Sequence, residues 1–171
     1  SDVQSFTTQS LPPVELSIPD TTGDEGDTLV IPVITSDFSN QDVTAIIVEV
    51  NFDSALIDIL DMPTSNTVFA NLSAAKKKYD TAFRIAGVSA DEINGSGILF
   101  NMQVKLRKDG SSTIGFNEVS FQTYNSDSGI EGSLTVNTSE GTIGINDTSP
   151  PDAPGLTTPN DGAEEGCIRA L

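Results

Sequence analysis

From Val14 to Ile145 the apolar residues of this chain recur at every second position, in short runs broken by turn residues. No stretch shows the three-and-four spacing of an amphipathic helix. A chain with this pattern must pair strands and hide one face of each, and two packed sheets cover all such faces at once. Val14, Leu16 and Ile18 alternate with Glu15 and Ser17. The turn cluster Thr21 to Asp27 leads to an apolar run from Leu29 to Ile34, where Pro32 marks a sheet edge or bulge because it cannot donate to the ladder. In the run Val43 to Phe52, Ile46, Val48, Val50 and Phe52 point one way and are assigned to the core, while Ala45, Ile47, Glu49 and Asn51 point the other.

Leu56 to Leu60 form a further apolar run, followed by a predicted loop from Met62 to about Lys78. Tyr79, Thr81, Phe83 and Ile85 oppose Ala82, Arg84 and Ala86. The clearest alternation sets Ile98, Phe100, Met102, Val104 and Leu106 inside against Leu99, Asn101, Gln103 and Lys105 outside. Asp109-Gly110 closes that strand with a hairpin signal. Ile114, Phe116 and Phe121 mark the next strand or two, and Leu134, Val136, Ile143 and Ile145 the last. The whole predicts about nine strands in an all-β, antiparallel two-sheet sandwich or jelly roll. It divides the chain into a linker at 1–13, a β-sandwich at 14–146 and a Pro/Gly-rich linker or tail at 147–171 that holds Cys167.

Composition narrows the function. With no His, no Trp and one Cys, the chain cannot supply a Ser-His-Asp or Cys-His catalytic set, or a His/Cys zinc, haem or iron-sulfur site. A formal charge of −17 opposes recognition of a phosphate backbone, so no nucleic-acid partner is expected. No run approaches 18 apolar residues, so no membrane insertion is expected either. Abundant Ser, Thr, Asn, Asp and Gly with few Lys suit a secreted or cell-surface protein, although halophilic adaptation gives similar acidity.

Two acidic turns offer hard oxygen ligands: Asp20, Asp24, Glu25 and Asp27 in one, and Asn125, Asp127 and Glu131 in the other. Neither fits the EF-hand spacing, and both fit ordinary turn chemistry, so no metal or cofactor is assigned. None of the eight Lys and Arg residues precedes Lys76, and seven of them lie between Lys76 and Lys108. That zone either steers a partner or solubilises a loop. Paired carboxylates could in principle cleave a glycoside, but 25 acids yield such pairs by chance. Without Trp, and with most Phe on inward faces, the chain lacks an evident platform for stacking sugars.

Four segments in order resemble the cohesin domain family. Gly26-Asp27-Thr28-Leu29-Val30-Ile31-Pro32-Val33 is similar to the family's opening Gly-Asp turn and Val-Pro-Val strand. Asn51-Phe52-Asp53-Ser54-Ala55-Leu56 resembles its Tyr-Asp-Pro turn, with Phe52 for Tyr and no proline. Arg84-Ile85-Ala86-Gly87 and Gly95-Ser96-Gly97-Ile98-Leu99-Phe100 resemble its paired central strands, and Asn125 to Gly129 with Leu134-Thr135-Val136 and Glu140-Gly141-Thr142-Ile143 its closing hairpin. The resemblance implies a nine-stranded jelly roll without catalysis, which binds dockerin, a small module itself loaded with calcium, on the outer face of one sheet. Carried onto this chain, the expected contacts are Ala45, Ile47 and Glu49, then Ala82, Arg84 and Ala86, then Leu99, Asn101, Gln103 and Lys105. Exposed Ala45, Ile47 and Leu99 would form an apolar patch bordered by Glu49, Arg84 and Lys105. The competing readings are a structural spacer domain of a surface adhesin and a carbohydrate-binding module, which share the sandwich architecture.

Overall fold

In the computed structural model, which describes residues 12–151, the chain forms twelve strands around one core. They are β1 (Val14–Ser17), β2 (Thr21–Asp24), β3 (Thr28–Thr35), β4 (Val43–Asn51), β5 (Ile57–Asp61) and β6 (Ser73–Lys78). The second half contributes β7 (Ala82–Val88), β8 (Gly97–Leu106), β9 (Gly110–Asn125), β10 (Ile130–Ser133), β11 (Val136–Ser139) and β12 (Gly141–Asn146). A 3₁₀ turn, Val68–Asn71, precedes β6. One sheet has the order β11-β1-β3-β8-β5; the other runs β2-β12-β9-β4-β7-β6, with β10 also paired to β9. The expected N-terminal linker at 1–13 lies almost wholly outside the described residues, as do most of the expected tail at 147–171 and Cys167.

The inner faces hold the residues that the alternation assigned to them: Val14, Leu16 and Ile18, Val48 and Val50, Met102, Val104 and Leu106 are all buried. Aromatic residues from the connections complete the layer. Phe38 packs edge-on against Phe121 at 5.1 Å between ring centroids, and Phe69 of the 3₁₀ turn against Phe100 at 5.7 Å. Burying side chains of this size stabilises the fold by about 1.5 to 3 kcal/mol each relative to exposure.

The sheets are mixed rather than wholly antiparallel, because β1 runs parallel to β11 and β2 parallel to β12. The reason is a shared corner. The chain passes from β1 to β2 and from β11 to β12 by switching sheets, and the two bent strands cross side by side. Ile18 donates its amide to Ser139, and the Asp20 carboxylate accepts the amide of Thr142 at 2.8 Å. Gly141 fits the crossing since a Cβ there would lie 2.8 Å from the Ile18 carbonyl oxygen.

Three further expectations are corrected. Asp109-Gly110 does not close a hairpin: β8 and β9 lie in opposite sheets, so this turn is a crossover. The segments around Arg84 and Phe100 are likewise not paired strands, since β7 and β8 are separated by the thickness of the sandwich. Met62 to Lys78 is only partly loop, for it ends in β6, whose six residues are all exposed and therefore carry no period-two signal.

Candidate functional site

The expected contact residues divide between the two sheets. On β4 and β7 the register aligns Ala45 with Val88, Ile47 with Ala86, Glu49 with Arg84 and Asn51 with Ala82. Ala45, Ile47, Glu49, Ala82, Arg84 and Ala86 are all partly exposed and thus share one outer face, as the alternation required. The β8 residues do not join them. Asn101, Gln103 and Lys105 face outward from the opposite sheet, paired with Pro32, Val30 and Thr28 of β3. Leu99 is no surface residue at all but is fully buried, while Ile98, assigned to the core, is 41% exposed. A bulge causes the exchange: Val33 pairs with Phe100 and Ile34 with Ile98, which leaves Leu99 as an extra residue turned inward beside Phe100.

The true neighbours of β4 and β7 are β9 and β6, whose outward residues complete this face. Gln122, Ser120 and Glu118 of β9 pair with Ala45, Ile47 and Glu49. On the other side Ser73, Ala75 and Lys77 of β6 pair with Val88, Ala86 and Arg84. The alternation of Glu118, Ser120 and Gln122 around Val119 and Phe121 is a usable signal for β9; β6 offers none.

Read across the four strands, the face has distinct rows. Ala75, Ala86, Ile47 and Ser120 form a low, largely apolar row, which Val88 and Ala45 extend. Beside it Lys77, Arg84, Glu49 and Glu118 form a charged row. Its charges are matched internally, with Arg84 Nη1 2.8 Å from Glu118 Oε2 and 3.8 Å from Glu49 Oε2. Asn117 donates to Glu49 as well, and Lys77 lies 5.0 Å from the centroid of the Tyr79 ring.

Most of the basic zone is engaged in the same way. Lys76 pairs with Asp61 at 2.9 Å, while Lys78 and Arg107 both reach Asp58, at 2.6 and 2.7 Å. The two lysine pairs join β6, the edge of one sheet, to β5, the edge of the other. Burial pushes the Asp58 carboxyl up, but hydrogen bonds and charge from Lys78 and Arg107 outweigh it and hold the group below its usual value. The Lys76 hydrogen bond does the same for Asp61, against desolvation. Lys105 donates to the carbonyl of Gly26.

The acidic turns serve as local acceptors. Asp27 receives the amide of Asp24, Asp24 the side-chain amide of Asn146, and Asn125 the amide of Ser128. Among the described residues no three His, Cys, Asp or Glu side chains are grouped as metal ligands.

A family model for the cohesin domain matches residues 14–145. No curated protein sequence matches the chain. Solved structures share the fold. A type I cohesin-dockerin complex from Clostridium thermocellum aligns with a TM-score of 0.66 and 17% identity over 79% of this chain and 100% of that one. The seventh ScaB type I cohesin of Pseudobacteroides cellulosolvens gives 0.67 and 15% over 83% and 97%, and a non-cellulosomal cohesin from the archaeon Archaeoglobus fulgidus 0.65 and 16% over 79% and 92%. The four sequence segments in family order, the two-sheet sandwich and the match over residues 14–145 agree, and the chain belongs to the cohesin domain family.

Proposed function

We propose that this domain is a non-catalytic docking module that holds a calcium-loaded dockerin on the outer face formed by β6, β7, β4 and β9. The observation that carries the reading is the apolar row itself. Ala45, Ile47, Ala75, Ala86 and Val88 lie together on a regular sheet surface, without bulky side chains that would block a second surface from lying flat. Val88 is 52% exposed, so water is released when a partner covers it. The matched charges beside the row set the orientation of a partner more than they add affinity. Solved members of the family include complexes with dockerins, which supports the choice of partner. The setting that fits is a secreted or cell-surface scaffold assembling enzymes on polysaccharide.

Calorimetry against a panel of dockerins tests the proposal. Binding is expected for at least one of them and should vanish in chelator, because the metal stabilises the partner's fold. Ile47→Lys should abolish that binding while shifting stability by only about 0.5 kcal/mol, as is usual for a surface change. Binding of a polysaccharide but of no dockerin would favour the carbohydrate-binding reading instead, and binding of neither the spacer.

A further inference from the structure

The docking face does not end at β9. Strand β10 pairs with the last residues of β9, aligning Ser133 with Gln122 and Glu131 with Tyr124. Since Gln122 also pairs with Ala45, these side chains continue the outer face by a fifth strand. The tight turn between β9 and β10 is fixed by Asn125, whose side-chain oxygen accepts the amide and hydroxyl of Ser128 and whose carbonyl accepts the amide of Gly129. A shallow groove results, lined by Thr44, Gln122, Tyr124, Glu131 and Ser133.

This end of the face differs in kind from the charged row around Arg84. There each carboxylate already has a cation or an amide. At the β10 end, among the described residues, Glu131 takes part in no ion pair and no cation lies over the Tyr124 ring. Tyr124 is 46% exposed and Glu131 is exposed beside it, with Cβ atoms about 5 Å apart as directly paired residues are. An exposed aromatic side chain next to an unpaired carboxylate is the arrangement that receives a Lys or Arg side chain, through cation-π attraction and a charge-assisted hydrogen bond together. Thr44, Gln122 and Ser133 add hydrogen-bonding groups around the groove. The excess of acid in the chain, −17 overall, favours a basic contact from the partner in the same sense.

We infer that the Tyr124–Glu131 groove on β9 and β10 is a specificity pocket that accepts a basic side chain of the docked partner. The inference rests on the docking reading above and adds to it the residues that choose among partners.

The test is a binding series on the full chain, using whichever dockerin of the panel binds the parent. Glu131→Gln should weaken binding about tenfold and flatten its dependence on salt, and Tyr124→Leu should weaken it about threefold, with thermal melting unchanged in both. Replacing the basic residue on the dockerin that faces the groove should give a loss that is not additive with Glu131→Gln. If both variants bind as the parent does while Ile47→Lys does not bind, the pocket is refuted and the docking face stands. Failure of every dockerin to bind the parent overturns the docking reading, and the pocket with it.

Discussion

Leu99 and Ile98 show how much one residue decides. Their order in the sequence gives a charged substitution at Leu99 the look of a harmless surface change, yet the bulge opposite Ile34 turns Leu99 into the core. Leu99→Ala should therefore cost about 2 to 5 kcal/mol in chemical denaturation, and Ile98→Ala within about 0.5 kcal/mol. Equal effects would mean that β8 has no bulge. Gly87 is a second such position, lying beneath Phe69 of the 3₁₀ turn. A Cβ there would sit 2.7 Å from the Phe69 ring and 2.9 Å from Leu72, so Gly87→Ala should destabilise by about 1 to 3 kcal/mol through overpacking.

Among the elements, β6 is the least secured. None of its residues is buried, so it adheres through its ladder with β7 and through the ion pairs that reach across to β5. The lysines explain themselves on this view: Lys76 and Lys78 close the open side of the sandwich while also discouraging a foreign strand from pairing at the edge. Asp58 and Asp61 have carboxyls held below the usual range, so the stability they lend is present above the unfolded value near pH 4 and is lost as pH falls through the lower folded values. Hydrogen exchange should accordingly show the β6 amides opening faster below about pH 4 and in Asp58→Asn at neutral pH, with β4 unaffected. Because β6 carries Ala75 and Lys77 of the proposed docking face, partner binding should weaken in the same variant.

For the whole molecule the charge balance sets a trend of opposite sign. An excess of 17 negative charges repels itself, and salt screens that repulsion over distances longer than the contacts within an ion pair. The melting temperature should rise by several degrees between about 0.02 and 1 M NaCl, although the same salt loosens β6. A fall in melting temperature would mean that the local pairs outweigh the net charge. The shared corner at Gly141 is the other global feature, since it ties both chain segments that switch sheets; Gly141→Ala should lower the melting temperature more than a change at exposed Gly132.

Alternation along the chain is enough to say what most strands turn inward. Period-two alternation in runs such as Val43 to Phe52 is a local property, imposed by strands that alternate faces, and it specified the all-β class, most of the core and the outward direction of Ala45, Ile47 and Arg84. Which strands became neighbours was settled only in three dimensions. Nothing in the spacing of Arg84 and Asn101 records that the chain crosses the sandwich between them, because a crossover and a hairpin both read as a few turn residues. The same holds for β6, whose place at the edge rests on backbone pairing and on Asp58 and Asp61 from the opposite sheet, and for Leu99, which a bulge turned around. Contacts between residues far apart in the chain leave no periodic trace, so the face that β6, β7, β4 and β9 build together existed only once the two sheets had packed.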